Sequence, residues 1–141
     1  MSLNTSTAGA NANAAGSAAV VLVARLLLSV LFLFAGFGKL TDISGTAGWF
    51  GSIGLPLPVV AAVVVGLLEF FGGLAILVGF KARIAAIALA VFTIAASLVA
   101  HTNFADQIQL LMFLKNLSIT GGLLLLASFG PSALSLDARR G

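Results

Sequence analysis

Long apolar stretches separated by short polar, glycine-bearing or proline-bearing breaks run through residues 18–129, and their lengths set the architecture. A helix needs about 20 apolar residues to cross a bilayer. The pattern supplies such a stretch four times, at residues 18–38, 59–80, 84–100 and 108–129. The first is interrupted only by Arg25 and Ser29 and ends in Gly36-Phe37-Gly38-Lys39, which predicts a glycine C-cap with a cation on the negative helix end. Thr41-Asp42 predicts an N-cap for a short segment at 43–53, whose Trp49 and Phe50 suit a membrane interface and whose glycines oppose a longer helix. Pro58 suits the first turn of the second crossing, Lys81-Ala82-Arg83 makes a tight basic turn into the third, and Gly130-Pro131 stops the fourth. The predicted fold is therefore all-α: a polytopic membrane protein in which a bundle of four transmembrane helices, within residues 17–130, carries a short interfacial segment between helices 1 and 2. A disordered tail is predicted at 1–16 and a cytoplasmic tail at 131–141.

Composition removes most competing classes. With 141 residues, 60% of them hydrophobic and 8% charged, the chain has too little polar surface to cover a soluble globule and length for one domain only. It has no cysteine, so disulfides, thiol relays, iron–sulfur clusters and thiolate-bound metals are excluded; one histidine excludes a bis-histidine haem within a single chain, and no metal site is expected. The net charge of +3 is spread over isolated Lys and Arg residues without a basic stripe, so nucleic acid is not an expected partner. Lys81, Arg83, Arg139 and Arg140 flank one side of the membrane against Lys39 on the other, which places both termini in the cytoplasm. The small polar residues at 1–16 lack a basic n-region and are not read as a signal peptide.

Candidate chemistry lies in the charges that this pattern carries into the hydrocarbon. A charge at the bilayer centre costs roughly 2.5–3.5 kcal/mol even on insertion scales, so Arg25, Glu69 and Lys115 are expected to face protein or a cavity. At about 1.5 Å per residue they lie on the order of 20, 16 and 10 Å below the outer ends of their helices, within reach of one another. Helical spacing predicts inward faces through Arg25, Ser29, Phe32 and Gly36; through Ala62, Gly66, Glu69 and Gly73; through Thr93, Ser97 and His101; and through Gln109, Met112, Asn116 and Thr120. The expected intramembrane polar site is thus Arg25, Glu69, Lys115 and Asn116, with Lys39 and His101 at its outer rim and Asp106 as the surface hydrogen-bond partner of His101. In the bland alternative Arg25 and Glu69 form a structural ion pair and Lys115 snorkels outward. For Ser29, Thr93, Ser97 and Thr120 a structural bond to the preceding turn is the expected role.

Ala24-Arg25-Leu26-Leu27-Leu28, then Phe34-Ala35-Gly36-Phe37-Gly38-Lys39-Leu40, then Leu68-Glu69-Phe70-Phe71-Gly72-Gly73 with Arg83-Ile84-Ala85-Ala86, and finally Lys115-Asn116 through Gly121-Gly122-Leu123-Leu124, resemble the DoxX family of small bacterial membrane proteins over residues 20–130. The resemblance implies a four-helix bundle in the bacterial cytoplasmic (inner) membrane, with Arg25, Lys39, Glu69 and Lys115 as the positions that carry function. Members are often labelled oxidoreductases, and the family name comes from a thiosulfate:quinone oxidoreductase complex.

Three functions compete. The first is a membrane subunit of a quinone-linked redox or oxidative-stress system. Lacking Cys and Tyr, such a subunit would act only through a bound quinone or a redox partner protein. Two buried cations against one carboxylate favour it, since a quinone head group, an oxyanion or a lipid phosphate would answer the excess charge. The second is a small anion or proton transporter, which four helices without inverted repeats would support only as a homo-oligomer. The third is a scaffold that assembles other membrane proteins through its Gly- and Ala-rich faces. No catalytic residue is assigned.

Overall fold

A computed structural model describes the backbone of residues 2–140 and the side chains from Thr7 onward. The chain is an all-α polytopic membrane protein. Its helices are α1 (Ser2–Thr41), α2 (Ile43–Ser52), α3 (Pro58–Val78), α4 (Ala82–Ala100), α5 (Gln107–Phe129) and the short α6 (Leu136–Arg140), with no strand among the described residues. Four of them, α1, α3, α4 and α5, are long and apolar enough to span a bilayer. Both termini therefore lie at one end of the bundle and α2 at the other.

The turns form for local reasons. Asp42 caps α2 by accepting from the Gly45 N–H at 3.0 Å, and Asp106 caps α5 by accepting from Ile108 at 2.9 Å. Pro58 occupies the first turn of α3, where its missing N–H costs nothing. Gly79 ends α3 at φ +72°, letting the Phe80 N–H return to the Ala75 carbonyl at 2.9 Å.

Two expectations are corrected. Helix α1 does not stop at Gly36-Phe37-Gly38; it continues to Thr41, and Gly36 serves packing instead. A Cβ there would strike the Phe70 amide nitrogen and lie 2.8 Å from the Gly66 carbonyl, so the backbones of α1 and α3 meet at this point. Residues 2–16, expected as a disordered tail, are helical and continuous with the first crossing. Their alanines favour helix, no proline interrupts them, and the membrane-held turns behind them have already met the cost of nucleation. At about 60 Å, α1 is twice the hydrocarbon thickness, and its first turns stand outside the bundle with residues 7–17 exposed. The C-terminal segment, residues 131–140, folds back on the bundle: the Asp137 carboxylate accepts from the Lys81 and Ala82 N–H groups at 2.6 and 2.9 Å, capping α4, and its own N–H donates to the Gly79 carbonyl at 2.8 Å.

Helix α1 packs on α3, α4 on α5, and α3 joins the two pairs by touching α4, while α1 and α5 barely meet. The half of the bundle nearest the termini is filled by Phe32, Ile76, Ala86, Leu89, Leu123 and Leu126. The other half is looser, and α2 lies across it with Ala47 and Phe50 against Ala62.

Candidate functional site

Arg25 and Glu69, which the bland alternative pairs, do not meet. Arg25 is 1% exposed, and its guanidinium turns toward the termini. Nε donates to the Ile76 carbonyl at 2.9 Å, Nη2 to Leu77 at 2.8 Å, and Nη1 to Pro131 at 3.0 Å and Leu134 at 2.7 Å. Ile76 and Leu77 belong to the last turn of α3, where carbonyls lack the full i+4 ladder and Ile76 has only the Gly79 N–H at 3.3 Å, so the planar fork of arginine completes that helix end and ties the C-terminal segment to it.

Glu69 pairs instead with Lys39, Nζ to Oε1 at 2.9 Å, with side-chain exposures of 5% for the carboxylate and 22% for the lysine. Lys39 was expected at the outer rim; it is deeper. A Cβ on Gly66 would lie 3.3 Å from the Lys39 Cβ, so the lysine leaves α1 level with Gly66, about 12 Å below the start of α3, and its chain reaches the mid-depth of that helix. The stagger arises because α1 ends lower than α3 begins and α2 occupies the space above it.

A cavity of about 350 Å³ opens beside this pair. Lys39 and Glu69 stand on one side and His101 and Asn116 on the other, with apolar and aromatic walls from Leu31, Trp49, Phe50, Phe92 and Met112. Asn116 is held by donation from Nδ2 to the Ser97 Oγ at 2.8 Å, which leaves its carbonyl group as an acceptor; Ser97 in turn donates to the Thr93 carbonyl at 2.9 Å. The roles expected for Thr93, Thr120 and Ser29 hold: each bonds a carbonyl of its own preceding turn. His101 lies half-buried at the mouth, and its expected partner Asp106 is used instead to cap α5.

Of the six expected site residues, Lys39, Glu69, His101 and Asn116 share this cavity. Arg25 and Lys115 do not. Lys115 is exposed on the outer face of α5, one residue and about 100° of helical rotation from Asn116. Lys115 therefore adds no buried cation. The aromatic wall was not assigned to a site from sequence, although Trp49 and Phe50 stood out as a membrane-interface pair. Their inward contribution depends on how α2 lies across α3.

The DoxX family model matches residues 20–102, which include Arg25, Lys39, Glu69 and His101. The inner membrane protein YqjF of Escherichia coli is 49% identical over 117 residues, covering 83% of this chain and 88% of the relative. The inner membrane protein YphA of the same organism is 34% identical over 125 residues, covering 85% and 89%. A shorter similarity, 33% identity over 75 residues and about half of each chain, is to a Bacillus subtilis protein named "Putative oxidoreductase CatD". No solved structure matches.

Proposed function

This chain belongs to the DoxX family, and on that premise we propose that it is an inner-membrane component of a redox system that holds a quinone-like head group in the cavity beside Lys39 and Glu69. The observation that carries this reading is the cavity itself: an ion pair and an amide at its edges, aromatic and aliphatic walls, and a position at mid-depth of the bundle. A flat ring suits Trp49, Phe50 and Phe92, and ring oxygens suit Lys39, whose ammonium has three donors and gives one to Glu69. His101 and Asn116 offer further polar contacts on the opposite side. A bound quinone would supply the two-electron chemistry that no side chain here provides, and a partner protein would carry the electrons. The inner-membrane names of YqjF and YphA and the oxidoreductase label of CatD agree with this reading.

Permeation fits less well, because the cavity has a floor: Phe32, Ile76, Leu89 and Leu123 fill the other half of the bundle and Arg25 fastens its end. Charge supports termini in the cytoplasm. Arg25, Lys81, Arg83, Arg139 and Arg140 lie toward the termini against Asp137, whereas Lys39 and Lys115 face Glu69, Asp42 and Asp106 in the other half.

The single tryptophan, Trp49, lines the cavity and makes the test direct. In nanodiscs, a short-chain quinone analogue should quench its emission saturably, with at least tenfold weaker binding in Lys39→Met and Asn116→Leu. Linear quenching of equal slope in all three proteins would sink the proposal.

A further inference from the structure

A second cavity, about 590 Å³, lies in the half nearest the termini, where α1 and α5 fail to close on each other. Apart from Arg25, whose four donations go to backbone carbonyls, its lining is apolar. Its flanks face lipid, with Leu27 72%, Leu125 63% and Phe129 78% exposed. Along α5 it runs from Gly122 to Gly130, roughly 12 Å. Arg83 of α4 does not line it but stands beside Gly130, the lining residue at its terminal end. The Arg83 Nη1 donates to the Ser128 carbonyl at 2.7 Å, and a Cβ on Gly130 would lie 3.1 Å from both Nε and Nη2. Those two nitrogens have no hydrogen bond to the described residues, and the side chain is exposed.

An apolar groove at acyl-chain depth, with a guanidinium carrying unused donors next to its terminal residue Gly130, has the chemistry of a lipid with a charged head. We infer that this seam binds an anionic phospholipid, one acyl chain lying between α1 and α5 and the phosphate meeting Arg83. Guanidinium and phosphate match as a bidentate pair. Charge selects the sign of the lipid: Lys81, Arg139 and Arg140 share this end, opposed by Asp137, which is occupied in capping α4. Gly122 keeps the groove open, since a Cβ there meets only the Leu28 side chain at 3.4 Å and a longer side chain would enter the space.

The experiment is native mass spectrometry and thermal melting of the full chain after reconstitution with phosphatidylglycerol or phosphatidylcholine. Wild type should retain phosphatidylglycerol with a preference of about fivefold or more. Arg83→Gln should abolish the preference. Because that change also removes a cap on α5, Gly122→Leu provides a variant with Arg83 intact, and it should lose retained lipid of both kinds while still melting cooperatively. Equal retention of the two lipids by wild type would overturn the inference. So would inorganic phosphate raising the melting temperature as much as phosphatidylglycerol, which would leave the groove without a part. A lipid-free dimer that Gly122→Leu dissociates would assign the seam to a second copy of the chain and equally overturn it.

Discussion

Arg25 and the Lys39–Glu69 pair are both charge carried into the membrane, and the protein treats them in opposite ways. Arg25 gives four of its five N–H donors to backbone carbonyls, in a half of the bundle packed by large apolar side chains. Lys39 and Glu69 have each other and, beside them, open space. A buried cation that only completes main-chain hydrogen bonding is part of the framework; an ion pair bordering a cavity keeps donors and lone pairs available to a guest. The contrast separates architecture from chemistry along the bundle axis, with the terminal end locked and the α2 end available.

The largest expected effect tests the locked end. Arg25→Leu should cost on the order of 4 kcal/mol, because the carbonyls of Leu77, Pro131 and Leu134 lose the guanidinium together and Ile76 keeps only the Gly79 N–H. Arg25→Lys should not rescue it, since an ammonium cannot reproduce the fork. Thermal melting in nanodiscs measures both, and a small loss in either would show that the C-terminal segment holds without Arg25.

Next comes a pair of double-mutant cycles. Glu69→Leu strands Lys39 beside the cavity and should destabilise by up to about 3 kcal/mol, partly recovered by adding Lys39→Met. Glu69→Leu combined with Arg25→Leu should be additive to within about 0.5 kcal/mol. Strong coupling of Glu69 to Arg25 rather than to Lys39 would reverse the comparison.

Asp137→Ala should cost about 1 kcal/mol by removing the cap of α4, and should expose residues 131–140 to proteolysis while leaving the Trp49 response to quinone analogues unchanged. The smallest loss belongs to Lys115→Met, expected to leave the melting temperature unchanged or raise it, because the side chain is exposed on the outer face of α5 and its replacement removes a cation from the lipid-facing surface. Loss of ligand binding in Lys115→Met would bring that residue back into the site.

The inward faces were legible in the sequence. Arg25, Ser29, Phe32 and Gly36 are all buried, as are Ala62, Gly66, Glu69 and Gly73, because helical periodicity is a local property and small or polar residues in a membrane helix have few other places to go. The partners were not legible. Glu69 had two cations on α1 within plausible reach, and spacing along a helix does not fix how far that helix is displaced along its neighbour. Lys115 was misplaced for a related reason: adjacent residues differ by about 100°, and at the border of a stripe only the packed bundle shows which one turns inward.

The sequence by itself determined the four crossings, the capped segment between the first two, the lack of any cysteine chemistry, and which faces of α1 and α3 are buried. All of these follow from composition, periodicity and turn residues within a few positions of one another. Only the tertiary structure decided that Lys39 answers Glu69, that Arg25 fastens the ends of α3 and the C-terminal segment, and that α2 walls a cavity. These depend on helix stagger and rotation, set by backbone contacts such as Gly36 against Phe70 and by where a docked segment leaves carbonyls to be satisfied.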